Sequence, residues 1–457
     1  MAKTKTIFIC QQCGYQAPKW LGRCPDCQGW GTLVEELVGE EVPEGDVRQR
    51  WGREESPRAI GEVAEEKEGA RLSTRLEEFN RVLGGGIVAG SVVLLGGDPG
   101  IGKSTLIFQC LHGLAAQGRR CLYISAEESL RQTKLRAKRL GAVSPELFVA
   151  AETSLERIIQ GVEEIQPQVL VVDSIQSIYT AQLGSAPGSI SQVRETSGRL
   201  TYLAKGLGVA TFLIGHVTKD GAIAGPRVLE HIVDTVLYME RSADSPFRIL
   251  RAVKNRFGST NEIGVFEMKE EGLVEVANPS EIFLAERPEG TSGSAVMASM
   301  EGTRPILVEV QALVAPTAFA VPKRMATGVD YNRLSLLVAV MEKKLGMNLS
   351  HQDIFVNVAG GLRIEEPAVD LGVVVAVASS HLDHVVPPST VVFGEVGLAG
   401  EVRGVSFGEQ RVTESARLGF ERCILPRSSA RGIKPTKGME FIGARDLREV
   451  WGYLFPG

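Results

Sequence analysis

From Arg71 to about Val276, short apolar runs alternate with helical patterns: "SVVLLGG", "CLYIS", "QVLVVDS", "ATFLIGH", "DTVLYME" and "FRILRAVKNR". Runs without polar alternation predict strands buried on both faces. Strands separated by helices predict a largely parallel sheet covered by helices on each side, with ligands at the carboxyl ends of its strands. After "NPSEIFLAERPEG" the pattern changes to "SAVMASMEGTRPILVEVQALV", a helical stretch around "NRLSLLVAVMEKKLG", a strand "DIFVNVAG", an apolar helix "PAVDLGVVVAVASSH" and a final α/β alternation. This predicts two α/β domains, at 71–278 and 279–457. They are preceded by a small cysteine module, 1–32, and by a segment, 33–70, too charged and too poor in apolar periodicity to build a core. No internal repeat or low-complexity tract interrupts this order.

At 457 residues, 44% of them hydrophobic, the chain has enough apolar surface for two or three separate cores. No apolar run approaches the roughly 20 residues that span a bilayer, and "MAKTKTIFIC" lacks the apolar stretch and small-residue cleavage site of a signal peptide, so a cytoplasmic protein with no membrane partner is expected. The net charge of −5 argues against a nucleic-acid partner only at first sight. Residues 40–70 hold ten acidic and five basic side chains, which is the whole deficit, so the remainder is neutral and any nucleic-acid contact rests on local basic patches.

Four of the seven cysteines, Cys10, Cys13, Cys24 and Cys27, form two Cys-x-x-Cys pairs ten residues apart. Each pair makes a knuckle whose thiolates converge, and four thiolates complete the tetrahedral shell of a structural Zn²⁺ with no open position for catalysis. Lys19, Arg23, Trp20 and Trp30 surround the knuckles, and they either touch nucleic acid or protein or merely cover the module. Cys110, Cys121 and Cys423 sit among apolar neighbours.

"GGDPGIGKST" follows a predicted strand and opens the helix "KSTLIFQCLHGLAAQ". This is the context of a nucleoside triphosphate loop, with Gly97, Asp98, Pro99, Gly100, Ile101, Gly102, Lys103, Ser104 and Thr105 as the binding residues. Glycines let backbone N–H groups turn onto the β-phosphate, Lys103 reaches the β- and γ-phosphates, and the Ser104 hydroxyl ligates Mg²⁺. "QVLVVDS" ends a strand with Asp173, placed to hold the same Mg²⁺ through water. "CLYISAEES" supplies Glu127, favoured as the carboxylate that polarises water, with Glu128 as the alternative. The cofactors expected are therefore ATP/ADP, Mg²⁺ and Zn²⁺.

A glutamate after the strand that follows the phosphate loop, with Asp173 on the next strand, resembles the RecA-type ATPase core. With "FLIGHVTKDGAIAGPRVLEHIVDTVLYME", "KNRFG" and "CGYQAPKWLGRCPDC", the whole chain resembles the bacterial RadA (Sms) family. The only departure noted is Ala126, where a glycine is expected. The resemblance implies a DNA-dependent, helicase-like ATPase for homologous recombination and DNA repair, promoting branch migration after strand exchange by a RecA-type recombinase. Its implied partners are single-stranded and branched DNA, that recombinase and copies of itself in a hexameric ring.

Two segments, after the third and fourth core strands, are implied to face the ring channel: "IYTAQLGSAPGSISQVRE" and "HVTKDGAIAGPR", with Arg194, Lys219 and Arg227 as isolated cations. His216 ends the fourth of these strands, where the resemblance implies a sensor of the γ-phosphate, with a satisfied structural histidine as the alternative. In Lys254, Asn255, Arg256, Phe257 and Gly258, the two cations either reach a neighbouring subunit's nucleotide or grip DNA phosphates, and Phe257 packs.

Residues 279–457 resemble the proteolytic domain of Lon, a Ser–Lys peptidase. Here "EEPAVDLG" puts Ala368 at the serine position, and Glu409 falls where the lysine is expected, with Arg403 and Arg411 the nearest cations. Without nucleophile or base, no peptidase activity is expected, and the domain's implied task is ring assembly. Lys323, Arg324, Arg333, Lys343, Lys344, Arg363, Arg403 and Arg411 are candidates for a DNA-facing surface. The competing functions are an ATP-dependent unfoldase or protease and an ATP-switched assembly scaffold.

Overall fold

A computed structural model describes residues 5–10, 15–38, 59, 71–215, 229–241, 246–288, 290–318 and 321–455. The chain divides into two compact units between Val276 and Ala277. The first begins with β1 (Lys5–Cys10), β2 (Gln16–Ala17) and β3 (Leu33–Val38), an antiparallel sheet in the order β2-β1-β3. The module thus runs past residue 32, where a linker is expected, because Leu33 to Val38 pair along the whole of β1. The rest of that linker, 39–58 and 60–70, lies outside the described residues apart from Ala59. Among the described residues, the ribbon's core is Cys10, Ala17, Cys24 and Leu33, with Phe8 and Leu21 against them. So small a core needs a cross-link or a metal to hold it.

The ATPase fold follows: α1 (Glu77–Leu83), β4 (Val92–Gly97), α2 (Lys103–Ala115), β5 (Cys121–Ser125), α3 (Leu130–Arg139), β6 (Leu147–Ala151), α4 (Leu155–Ile165), β7 (Val169–Asp173), α5 (Ile190–Leu207), β8 (Ala210–Ile214), β9 (Thr235–Arg241), β10 (Phe247–Asn255), β11 (Ile263–Lys269) and β12 (Gly272–Glu275). Among the described residues these strands form one nine-stranded sheet, β12-β11-β10-β9-β4-β8-β7-β5-β6. The six strands from β9 to β6 run parallel, and β9 to β12 form an antiparallel extension.

The unbroken apolar runs have a direct cause. Val93 and Leu95 of β4 face one core and Val92 and Leu94 the other, and Val169/Val171 and Leu170/Val172 of β7 divide in the same way. This sheet is apolar on both sides because helices cover both.

Two features position the site. In space β4 neighbours β8, not β5, so β8 and β7 lie between the phosphate-loop strand and the strand leading to Glu127. In sequence β6 intervenes between β5 and β7. The two segments expected after the third and fourth core strands therefore follow the fourth and fifth. The run "LFVAA" that becomes β6 is apolar throughout but short, so its place as the edge strand comes from its pairing with β5.

The second unit holds α6 (Pro279–Leu284), β13 (Ser294–Glu301), β14 (Arg304–Pro316), β15 (Arg324–Thr327), α7 (Tyr331–Leu345), β16 (Gln352–Val358), α8 (Val369–Leu382), β17 (Thr390–Val392), β18 (Glu395–Val396), β19 (Val402–Arg403), α9 (Gly408–Arg417), β20 (Arg422–Pro426), α10 (Arg427–Ala430), β21 (Glu440–Ala444) and α11 (Leu447–Leu454). Its mixed sheet runs β15-β16-β14-β13-β17-β20-β21. Residues Val369 to Ser379 of α8 are buried, and α8 packs on β13 and β14. Ala368, at the start of that helix, is fully buried.

The surface expected of Arg411 is not found. Arg411 is buried, paired with both oxygens of Glu366 at 2.8 and 2.5 Å, and its guanidinium lies 5.5 Å from the Phe393 ring. Arg333 is tied to the buried carboxylate of Asp370. Arg403 and Glu409 are exposed, and Arg403 is paired with Glu401.

Candidate nucleotide site and cysteine cluster

The loop between β4 and α2 needs its glycines. Gly97 has φ +145°, and a Cβ there would lie 2.5 Å from the Met239 carbonyl oxygen. Gly102 has φ +119°, and a Cβ there would meet Met268 Cε at 2.7 Å. Both φ values are ones that side-chain-bearing residues rarely adopt, and at Gly97 the close atom is backbone that cannot move aside, whereas at Gly102 it is the end of a flexible side chain. Gly102 caps α2 without a side-chain hydrogen bond, so the N–H groups of the first turn keep their capacity for an anion. The loop is also held from behind. The buried Arg248 of β10 donates from Nε to the Ile101 carbonyl at 3.1 Å.

Lys103 Nζ donates to the carbonyls of Gly97 and Asp98, at 2.7 and 2.9 Å. Burial lowers the pKa of its ammonium from the ordinary lysine value, against the opposing pull of Asp173, Asp98 and Glu127. One turn of side chains then converges on β7. Ser104 Oγ donates to Asp173 Oδ2 at 2.6 Å, and the Tyr123 hydroxyl donates to the same oxygen. Burial, and then Asp173, push the Tyr123 phenol far above its ordinary pKa, so it stays a donor.

The next residue, Ser174, donates to Glu127 Oε1. Glu128 is engaged elsewhere. Its carboxylate pairs with Arg136 of α3, while its backbone N–H and carbonyl both bond to Ser125 Oγ. Gly100, Lys103, Tyr123, Glu127, Arg136 and Asp173 share the walls of one cleft of about 410 Å³. The glycine cradle, the lysine, and a hydroxyl beside a carboxylate form the donor set that suits a triphosphate with a hard divalent cation.

In the ribbon, the sulfurs of Cys10, Cys24 and Cys27 all lie within 4.8 Å of one another, with Cys10 and Cys27 at 3.6 Å. A tetrahedral Zn²⁺ with arms of about 2.3 Å sets its thiolates about 3.8 Å apart, so the three described cysteines fit that ion. Cys13 lies outside the described residues.

The segment from Lys254 to Gly258 is held by its own subunit. Lys254 Nζ donates to the carbonyls of Glu230 and Val233 at 2.7 and 2.8 Å. Asn255 bonds to Val82 O and to the Phe257 N–H, and Arg71 bonds to the Phe257 carbonyl at 2.7 Å. Gly258 lies so close to Gly84 that a Cβ would come 2.8 Å from the Gly84 Cα. Arg256 is exposed, with one loose contact to Asp234 at 3.4 Å.

The family described as AAA domain matches residues 62–222, and the one described as rubredoxin metal binding domain matches residues 8–35. The chain is 55% identical over 454 residues to DNA repair protein RadA of Bacillus subtilis (strain 168), covering 98% of each. It is 52% identical to the RadA of Listeria monocytogenes, covering 100% of this chain and 99% of the relative. It is 50% identical to that of Streptococcus pyogenes serotype M1, covering all of both. The chain belongs to the RadA family of DNA repair proteins.

As a RadA-family ATPase its cofactors are ATP, Mg²⁺ and Zn²⁺. The AAA match spans the phosphate loop, Glu127 and Asp173, and the rubredoxin match spans all four ribbon cysteines. Of the other RadA-type positions singled out, His216, Lys219 and Arg227 lie outside the described residues. Arg194 is exposed on α5.

Sequence reasoning missed Tyr123, Ser174, Arg136 and Arg248. Tyr123 and Ser174 lie inside "CLYIS" and "QVLVVDS", where their neighbours carry the signal, Arg136 lies on the helix that follows Glu128, and Arg248 meets the loop from a strand 147 residues away. Among the described residues, no helix is long and apolar enough to cross a membrane.

Proposed function

We propose that this DNA repair ATPase is a DNA-dependent motor of homologous recombination, a hexameric ring on single-stranded DNA that promotes branch migration of products made by a RecA-type recombinase. The observation that carries the reading is the shared origin of catalytic and DNA-facing parts. Asp173 ends β7, Ser174 holds Glu127, and the next residues open the segment toward Arg194. Nucleotide state therefore has a short covalent route to that segment.

Bound Mg-ATP supplies a phosphoanhydride and a cation that draws off its charge. Lys103 and the loop N–H groups hold phosphate, and Ser104 with Asp173 holds the metal shell. Glu127 orients water. Glu128 is not available for that task while Arg136 holds it. Gln192 braces the first DNA-facing segment, bonding to Thr180, Leu183 and Ser185. Arg256 is the exposed cation of "KNRFG" and the one we assign to a neighbour's nucleotide or to DNA, whereas Lys254 acts within its own subunit. The buried Ala368 supports a non-peptidase role for the second unit in ring assembly.

The deciding measurement is ATP hydrolysis by the full chain with and without single-stranded DNA. Stimulation that is lost in Lys103→Ala supports the motor. Absence of stimulation across a range of salt concentrations sinks it and favours an assembly scaffold.

A further inference from the structure

We infer that the Trp20–Trp30 face of the zinc ribbon is a stacking platform for the bases of single-stranded DNA; this deepens the motor reading and rests on it. Trp20 and Trp30 are 58% and 76% exposed, the latter the more exposed of the two, and neither belongs to the ribbon's core. Exposing two indoles in a module with so little apolar interior is costly unless something covers them.

The two rings are held together. A Cβ on Gly22 would lie 3.5 Å from Trp20 Cη2 and 3.9 Å from Trp30 Cζ3, so both indoles flank one bare stretch of backbone. The backbone fixes this arrangement. Arg23 and Trp30 face each other in an antiparallel bridge, and the Gly31 N–H bonds to the Gly22 carbonyl at 2.9 Å. The Arg23 guanidinium lies 5.8 Å from the Trp30 ring centroid and is oriented by the Gln28 carbonyl and side-chain oxygen, at 3.0 and 2.6 Å.

Charge selects the occupant. From Tyr15 to Gly31 the ribbon carries two cations, Lys19 and Arg23, both exposed, against one acid, Asp26. Adjacent aromatic faces with cations beside them match a single strand, whose bases stack on π-surfaces while its phosphates meet positive charge. A protein partner remains the alternative that the test distinguishes.

The test uses the full, zinc-loaded chain and labelled oligodeoxythymidylate. Trp20→Ala/Trp30→Ala lowers affinity at least about thirtyfold, the lower end of stacking losses for two bases, while Trp20→Phe/Trp30→Phe restores most of it. Zinc content and DNA-free ATPase stay at wild-type values. In a second variant, Trp51→Phe/Trp451→Phe, the ribbon indoles are the chain's remaining tryptophans, and their emission is quenched by the oligonucleotide. The inference is overturned if that emission does not change on binding, or if the zinc-loaded alanine variant binds as wild type does, which is the outcome for a protein-docking face. If the wild-type chain itself does not bind the oligonucleotide, the motor reading falls as well.

Discussion

Ser104 and Asp173, 69 residues apart in sequence, are joined by a 2.6 Å hydrogen bond from the Ser104 hydroxyl to Asp173 Oδ2. The bond aligns the hydroxyl at the start of α2 with the carboxylate ending β7. The Tyr123 hydroxyl donates to the same oxygen.

Asp173→Asn leaves the geometry but removes the charge that orients the Mg²⁺ shell. The Mg²⁺ concentration for half-maximal hydrolysis should rise about 10- to 100-fold. Tyr123→Phe, which keeps the ring packed on Phe108 at a centroid distance of 4.3 Å, should give a smaller rise in the same direction. Metal titrations of ATPase rate check both.

The two cations of "KNRFG" should separate. Lys254→Ala leaves two carbonyls without their donor and should cost about 1–3 kcal/mol in denaturant unfolding, whether or not DNA is present. Arg256→Ala should leave stability within about 0.5 kcal/mol, as exposed sites do. Mixing Arg256→Ala with wild-type subunits then distinguishes its tasks. Action on a neighbour's nucleotide lowers basal ATPase of the mixture, whereas phosphate gripping lowers DNA affinity and its salt slope alone.

Arg411→Met removes the cation that holds both oxygens of Glu366 and leaves that carboxylate only the Ser299 hydroxyl and the Met300 N–H as donors. Breaking such a pair should destabilise the second unit by about 3–5 kcal/mol, while Arg363→Ala, an exposed pair with Glu365, should change little. Thermal unfolding of the two variants provides the comparison.

Chelation should release one Zn²⁺ per chain and expose the four ribbon thiols to a chromogenic thiol reagent. Burial pushes Cys121 and Cys423 up to about 12 and raises Cys110 well above its ordinary value, so these three should stay inert at neutral pH in the folded chain. Labelling of more than four thiols without unfolding would contradict this.

What the sequence determined by itself are the features encoded over short distances. The glycine spacing of the phosphate loop and the paired Cys-x-x-Cys knuckles are local geometry, and a run such as "VVLLGG" is apolar because both faces are covered. Tertiary structure decided what depends on strand order and burial. The apolar run of β6, "LFVAA", is short enough to belong to a helix or a strand, and only its pairing with β5 makes it the edge strand that stands between β5 and β7 in sequence. The antiparallel β10 and β11 bring Arg248 and Met268 against a loop more than 140 residues away in sequence. Basic residues look alike in sequence, yet Arg411 is buried against Glu366 and Lys254 is engaged by main-chain carbonyls, whereas Arg256 is exposed. Which cation meets solvent is set by the packing of distant elements, and nothing within a few residues of it records the outcome.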